Sequence, residues 1–195
     1  CANKRWGSDD LSGKKIMVQG VGHVGQYLVE HLCKAGADVF ICDINDTRIK
    51  ETTDANKVTV VSPEEMFKTT VDIYAPCAMG ATINDESIPH LTCEIVAGAA
   101  NNQLKLEEAH GQALKDKNIL YAPDFLINAG GLMNVGAEAY NVYNKDKVTA
   151  DVEGIYDRLH MIFNKAEDEG ITNQAAAIKM AEERIAAVGK INAVL

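Results

Sequence analysis

The chain has no apolar run approaching the ~20 residues of a membrane span, and no charged–apolar–small pattern of a secretory signal. Positive charge is scarce: 19 lysines and arginines face 28 aspartates and glutamates, for a net charge of −9. That balance argues against a nucleic-acid partner, which calls for a basic face. The five cysteines (Cys1, Cys33, Cys42, Cys77, Cys93) are odd in number and never stand at C-x-x-C spacing. They read as reduced thiols of a cytoplasmic protein rather than as a disulfide framework. None of the five histidines falls at metal-ligand spacing with cysteines or acids, so no metal site is expected. Internal repeats and low-complexity segments are lacking too. What remains is 195 residues, 47% of them hydrophobic, enough for one well-filled domain with an appendage.

Against this background one segment stands out, Gly20-Val21-Gly22-His23-Val24-Gly25. An apolar run before it, Ile16-Met17-Val18, reads as a buried strand. After it, Val24, Leu28 and Leu32 recur at helical spacing up to Gly36. A second strand, Val39-Phe40-Ile41-Cys42, then ends at Asp43. Strand, glycine turn, helix, strand, acid is the layout that holds a dinucleotide. Gly20 permits the tight turn, Gly22 lets backbone approach a pyrophosphate, and Gly25 lets the helix pack close to the strand. The helix N-terminus, at His23 and Val24, offers free N–H groups to phosphates. Asp43, followed by Ile44 and Asn45, can accept hydrogen bonds from the adenosine ribose, which favours NAD over NADP.

The same alternation continues. Asn45 or Asp46 caps a short helix to about Thr53, followed by a weak strand at Val58-Thr59-Val60. Ser62-Pro63-Glu64-Glu65 opens a further helix with cap, N1 proline and first-turn acids. Strands are expected at 71–75, ending at Pro76, at 95–97, ending at Gly98, and at 119–122, the last preceded by a polar helix over 106–117. Six strands with intervening helices predict a mostly parallel, doubly wound α/β sheet of Rossmann type. Beyond Pro123 only helices are expected. One runs from Ala129 to about Tyr143. Another carries the stripe Val152, Ile155, Tyr156, Leu159, Phe163 and Ala166. A last one, capped by Thr172, bears Ile178, Ala181, Ile185 and Val188 on one face. This helical tail either adds core packing or docks on another domain.

Four segments carry a family resemblance: 18–25, Ala75-Pro76-Cys77-Ala78, the run 122–131 from Ala122-Pro123-Asp124 to Gly130-Gly131, and Met180-Ala181-Glu182-Glu183-Arg184-Ile185. Together they resemble the cofactor-binding half of the Glu/Leu/Phe/Val amino-acid dehydrogenases, over nearly the whole chain. Glu153 to Arg158 looks like the leucine branch. The resemblance implies that Pro76, Cys77 and Ala78 line the dinucleotide cleft. It also implies that Asn102, with Asn101 as the neighbouring alternative after Ala100, meets the nicotinamide carboxamide. Asn128 caps the next helix facing the cleft, and Leu132 and Val135 form part of an apolar substrate pocket. Core packing is the plainer reading of that last pair. No histidine is placed to activate Cys77, so it reads as a small packing residue.

By the same resemblance, the family's reaction is reversible oxidative deamination of an L-amino acid to a 2-oxo acid and ammonia. It requires a lysine and an aspartate carried by motifs that this chain lacks. Lys14 and Lys15 precede the first strand, at the wrong end of the sheet, and Asp124 reads as structural. No catalytic residue is therefore assigned. Residues 1–12 read as the remnant of an interdomain helix and loop, 13–145 as the NAD-binding domain, and 146–195 as C-terminal helices. With no initiator methionine, and Cys1 to Trp6 reading as a helix already under way, the chain is expected to be a fragment. Its N-terminal substrate domain would be missing, and the full-length protein would be a homo-oligomer. A phenylalanine or valine enzyme is the nearest alternative. A non-catalytic NAD-sensing module gating a partner is one of another class.

Overall fold

A computed structural model describes residues 1–139 and 142–192, with the side chains of 190–192 excepted. The last part of the expected 129–143 helix, and the end of the expected 146–195 region, thus lie partly outside the described residues. The chain divides into two compact units, Cys1–Asn128 and Ala129–Leu195.

In the first unit the short apolar runs form β1 (Lys15–Gln19), β2 (Asp38–Cys42), β3 (Thr59–Val60), β4 (Ile73–Pro76), β5 (Ile95–Val96) and β6 (Leu120–Tyr121). They build one sheet in the order β3-β2-β1-β4-β5-β6, with every neighbouring pair parallel. Three consecutive residues of β1, Ile16, Met17 and Val18, are buried because a parallel sheet is covered on both faces. Alternation sends Met17 to one core with Tyr74, Val96 and Leu114. Ile16 and Val18 go to the other, with Val29, Ile41 and Ile95. Val18 pairs with Ile41 on one side and with Ala75 on the other. Strand order therefore reverses between β1 and β4, and the carboxyl ends of these two strands open the crevice where such sheets bind ligands.

The helices of this unit are α1 (Ala2–Trp6), α2 (His23–Lys34), α3 (Asp46–Ala55), α4 (Pro63–Met66), α5 (Glu107–Asp116) and α6 (Asp124–Ile127). In α2 the inward residues are Gly25, Val29 and Leu32, whereas Val24 is 58% exposed. Of the expected Val24–Leu28–Leu32 stripe, Leu32 is buried and Leu28 packs against the core, while Val24 gives way to Gly25, because the closest approach to the sheet is made by a glycine rather than by a large side chain. Asn45 caps α3, its side chain accepting from the Arg48 N–H at 3.0 Å. Four-residue α6 has too few residues to show a period and was not anticipated. Helix α1 is fastened to the opposite, amino-terminal edge of the sheet. Arg5 Nη2 donates to the carbonyls of Asn118 (2.5 Å) and Glu94 (3.3 Å), and Trp6 Nε1 donates to Glu94 Oε1 at 3.2 Å. Lys14 lies at that edge too, its Nζ 3.8 Å from the Trp6 ring centroid.

The second unit comprises α7 (Gly130–Ala139), α8 (Lys145–Glu153), α9 (Ile155–Glu169) and α10 (Asn173–Asn192). The long stripe is split at Gly154, which leaves Val152 on α8. On α9 the buried residues are Leu159, Ile162, Phe163 and Ala166, while Tyr156 is exposed. Thr172 caps α10 as expected, accepting from the Ala175 N–H. The inward residues of α10 include Gln174, Ala176 and Ala177, and the expected face is outward, with Ile185 72% exposed. Alanines let two helices approach closely, and a sequence pattern weighted toward large apolar residues does not register them. Lys165 ties α9 to α10 through Glu183 at 3.0 Å, and Lys179 reaches back to Glu169 at 2.7 Å.

Candidate functional site

The turn after β1 is fixed by close backbone contacts. Gly20 has φ +93°, and a Cβ there would lie 2.7 Å from the Cβ of Ala78. Its N–H donates to the Cys42 carbonyl at 2.7 Å, tying the turn to the end of β2. A Cβ on Gly25 would overlap the Gly20 carbonyl oxygen. Gly22 is the extended N-cap of α2 and has no side chain to satisfy the first-turn N–H groups. The twelve-residue helix thus presents unpaired donors and the positive end of its dipole at this edge.

Asp43 fastens the turn from the side. One carboxylate oxygen accepts from the Val21 N–H at 2.8 Å, the other from the Asn45 N–H at 2.9 Å. Each oxygen keeps a second lone pair for a further donor. Next to it Ile44 is 92% exposed, an apolar side chain bare at the sheet edge. Arg48 was not singled out from the sequence. Its Nη1 lies 3.6 Å from where a Cβ on Gly22 would stand, which brings a cation to the mouth of the glycine turn. A lone arginine in the first turn of α3 gives no signal of this in the sequence.

Beyond β4, Cys77 continues the ladder, its N–H donating to the Gln19 carbonyl at 2.7 Å, and Ala78 covers Gly20. The Cys77 sulfur accepts from the Ala99 N–H at 3.5 Å, and burial pushes its thiol above the ordinary range. Cys93, buried in the other core of the sheet, is pushed up to about 11, chiefly by burial. The thiolate is the reactive form, so at pH 8 only about one Cys93 in a thousand is ionised. Alkylation of Cys93 by iodoacetamide, followed by peptide mass spectrometry, is expected to rise about tenfold per pH unit up to that value and to become fast on unfolding.

The loop after β5 completes the edge. Gly98 sits against Pro76 with no room for a Cβ, and Ala100 N–H donates to the Pro76 carbonyl at 2.9 Å. Asn102 has φ +52°, and its carbonyl accepts from the Ala81 N–H at 2.7 Å. Asn128 Nδ2 donates to Asn101 Oδ1 at 2.5 Å, so two asparagines expected at the site meet directly. Asp124 is buried and accepts from the N–H groups of Gln103 (2.9 Å) and Phe125 (2.7 Å). Leu132 and Val135 belong to the second unit, where they are 76% and 58% exposed; neither is a core residue. Among the described residues no group of three histidine, cysteine and acidic side chains is placed to hold a metal ion. Nor is any helix among them long and apolar enough to cross a membrane.

An all-parallel sheet whose order reverses beside a glycine turn, with an acid at the end of the second strand, defines a Rossmann-type α/β fold. Residues 41–193 match the Glutamate/Leucine/Phenylalanine/Valine dehydrogenase family, and the chain belongs to that family of amino-acid dehydrogenases. It is 47% identical over 184 residues to a leucine dehydrogenase of Thermoactinomyces intermedius, covering 94% of this chain and 50% of that protein. Identity to a phenylalanine dehydrogenase of Bacillus thermotolerans is 44% over 192 residues, covering 96% of this chain and 50% of the relative. The crystal structure of L-tryptophan dehydrogenase from Nostoc punctiforme superposes with a TM-score of 0.91 at 44% identity, covering 95% of this chain and 56% of that one. The chain spans about half the length of the curated relatives it matches.

Proposed function

We propose that this chain is the NAD(H)-binding half of an amino-acid dehydrogenase that oxidatively deaminates leucine and related branched-chain amino acids. The observation that carries the reading is the convergence of Gly20, Gly25 and Asp43. Two glycines stand where no other residue fits, and a carboxylate is held beside the uncapped end of α2. In this reading Gly22, His23, Val24 and Gly25 hold the pyrophosphate through main-chain N–H groups, assisted by Arg48. Asp43 and Asn45 take the adenosine ribose and Ile44 lies against the adenine. Pro76, Cys77, Ala78 and Ala100 wall the crevice. Asn102, with Asn101 and Asn128 beside it, positions the nicotinamide carboxamide. When bound, the nicotinamide supplies the hydride acceptor. The lysine and aspartate that move protons belong to an N-terminal substrate domain, so this chain alone binds cofactor without turnover. In the cell the whole protein works as a cytoplasmic homo-oligomer.

Calorimetric titration tests the cofactor half of the proposal. NADH is expected to bind at least about tenfold tighter than NADPH, a gap of ~1.4 kcal/mol. Equal affinities would remove Asp43 from the ribose, and leucine deamination by this chain alone would end the half-enzyme reading. Leu132 and Val135, an exposed apolar pair on one face of α7, support an apolar substrate. A second reading, an aromatic substrate, draws support from the phenylalanine and tryptophan dehydrogenases that match almost as well as the leucine enzymes. Steady-state rates of the full-length protein with leucine, valine and phenylalanine decide between the two.

A further inference from the structure

The segment from Gly98 to Asn102 is wound around the side chain of the residue that follows it. Gln103 is completely buried. Its Nε2 donates to the Gly98 carbonyl at 2.6 Å and to the Ala100 carbonyl at 3.0 Å. Only this orientation of the amide works, because the flipped one would set oxygen against two carbonyl oxygens. The outcome is one-sided. Both amide protons are used, while Oε1 is buried without a hydrogen-bond partner among the described residues. The Gln103 N–H donates to buried Asp124 Oδ2, and its carbonyl accepts from the Ile83 N–H at 3.0 Å. Gln103 is thus held by its own main chain and holds the loop by its amide. Asn101 and Asn102 are carried on the outside of that loop and are exposed.

The Gln103 amide supplies donors to two main-chain carbonyls of this loop while its own oxygen is left unpaired, so an apolar side chain of the same length would leave both carbonyls without a donor and free the loop from its course. We infer that Gln103 is a positioning residue: its amide sets the course of the 98–102 loop and thereby the place of the asparagine that meets the nicotinamide carboxamide. The inference rests on the dinucleotide reading and adds a specific claim to it. Gln103 acts on the nicotinamide end of the cofactor and not on the adenosine end, which is held by Gly22 after β1 and Asp43 after β2.

The test compares NADH with ADP-ribose, which lacks only the nicotinamide, on the 195-residue chain. Gln103→Met keeps the length and removes both donors. It is expected to weaken NADH about tenfold or more while ADP-ribose changes by less than about threefold. Asp124→Asn, which loosens the anchor of Gln103 without emptying the core, is expected to show the same selective loss at about threefold. It decides the matter if Gln103→Met does not fold. Parallel losses for both ligands, or no loss for either, overturn the inference and make Gln103 a residue of the fold alone. Wild-type chain that binds NADH no tighter than ADP-ribose overturns it as well, while leaving the adenosine subsite standing. Wild-type chain that binds neither ligand strikes the dinucleotide reading itself.

Discussion

Gly25→Ala is expected to abolish dinucleotide binding and to lower the melting temperature by roughly 5–12 °C, from an overpacking cost of about 2–4 kcal/mol. The added methyl would occupy the position of the Gly20 carbonyl oxygen, a backbone atom that cannot rotate away. Relief requires α2 to lift from β1, which moves its first-turn N–H groups out of place and opens the contact of Val29 with the core. The matched control is Gly136→Ala in α7. Nothing lies within 4 Å of a Cβ there, and replacing a mid-helix glycine by alanine stabilises by up to about 1 kcal/mol. One substitution type, made at two helical positions of one chain, is therefore expected to shift the melting curve in opposite directions. A Gly25→Ala chain that binds NADH like the wild type would remove the glycine turn from the site.

Asp43→Ala is expected to weaken NADH about 30- to 100-fold, equivalent to ~2–3 kcal/mol, and to weaken NADPH much less. Two effects combine. The carboxylate that would accept from the ribose is lost, and the Val21 and Asn45 N–H groups lose a charged acceptor that shapes the turn. Asp43→Asn separates them: an amide oxygen still accepts one of the two N–H groups, so the turn is partly kept while the charge is gone. Loss of NADH preference in Asp43→Asn, with melting temperature near that of the wild type, assigns the charge to cofactor choice. Equal losses of NADH and NADPH in both variants would assign Asp43 to the turn alone.

Much of the sheet was legible because its strands are short apolar runs closed by glycine, proline or acid, and their parallel pairing followed from the alternation with helices. Asn45 and Ser62-Pro63 were legible as helix starts because start signals are local chemistry, a side-chain cap at Asn45 and an N1 proline after Ser62, whose own side chain makes no cap bond. Long-range or small-residue packing was not. The helix α10 shows its alanines inward, and nothing in its own sequence says that α9 approaches closely enough to prefer them. Arg48 reaches Gly22 only because β1 and β2 are neighbours. Gln103 and Asp124 lie 21 residues apart, and their bond depends on the parallel pairing of β5 with β6. The glycines were visible from their spacing, yet what they avoid, Ala78 at Gly20 and Pro76 at Gly98, came only with the fold.

Those contacts make the floor of the crevice almost entirely main chain. Gly20 rests on Ala78, Gly98 on Pro76, and Gly25 on the Gly20 carbonyl, with no large side chain in between. A floor of this kind has little to mutate: its shape is preserved as long as the glycines are. Ile44 and Arg48, at the mouth of the glycine turn, are exposed by contrast. Such a platform persists through changes in the exposed side chains around it. Relatives named for leucine, phenylalanine and tryptophan all stand at 44–47% identity to this chain.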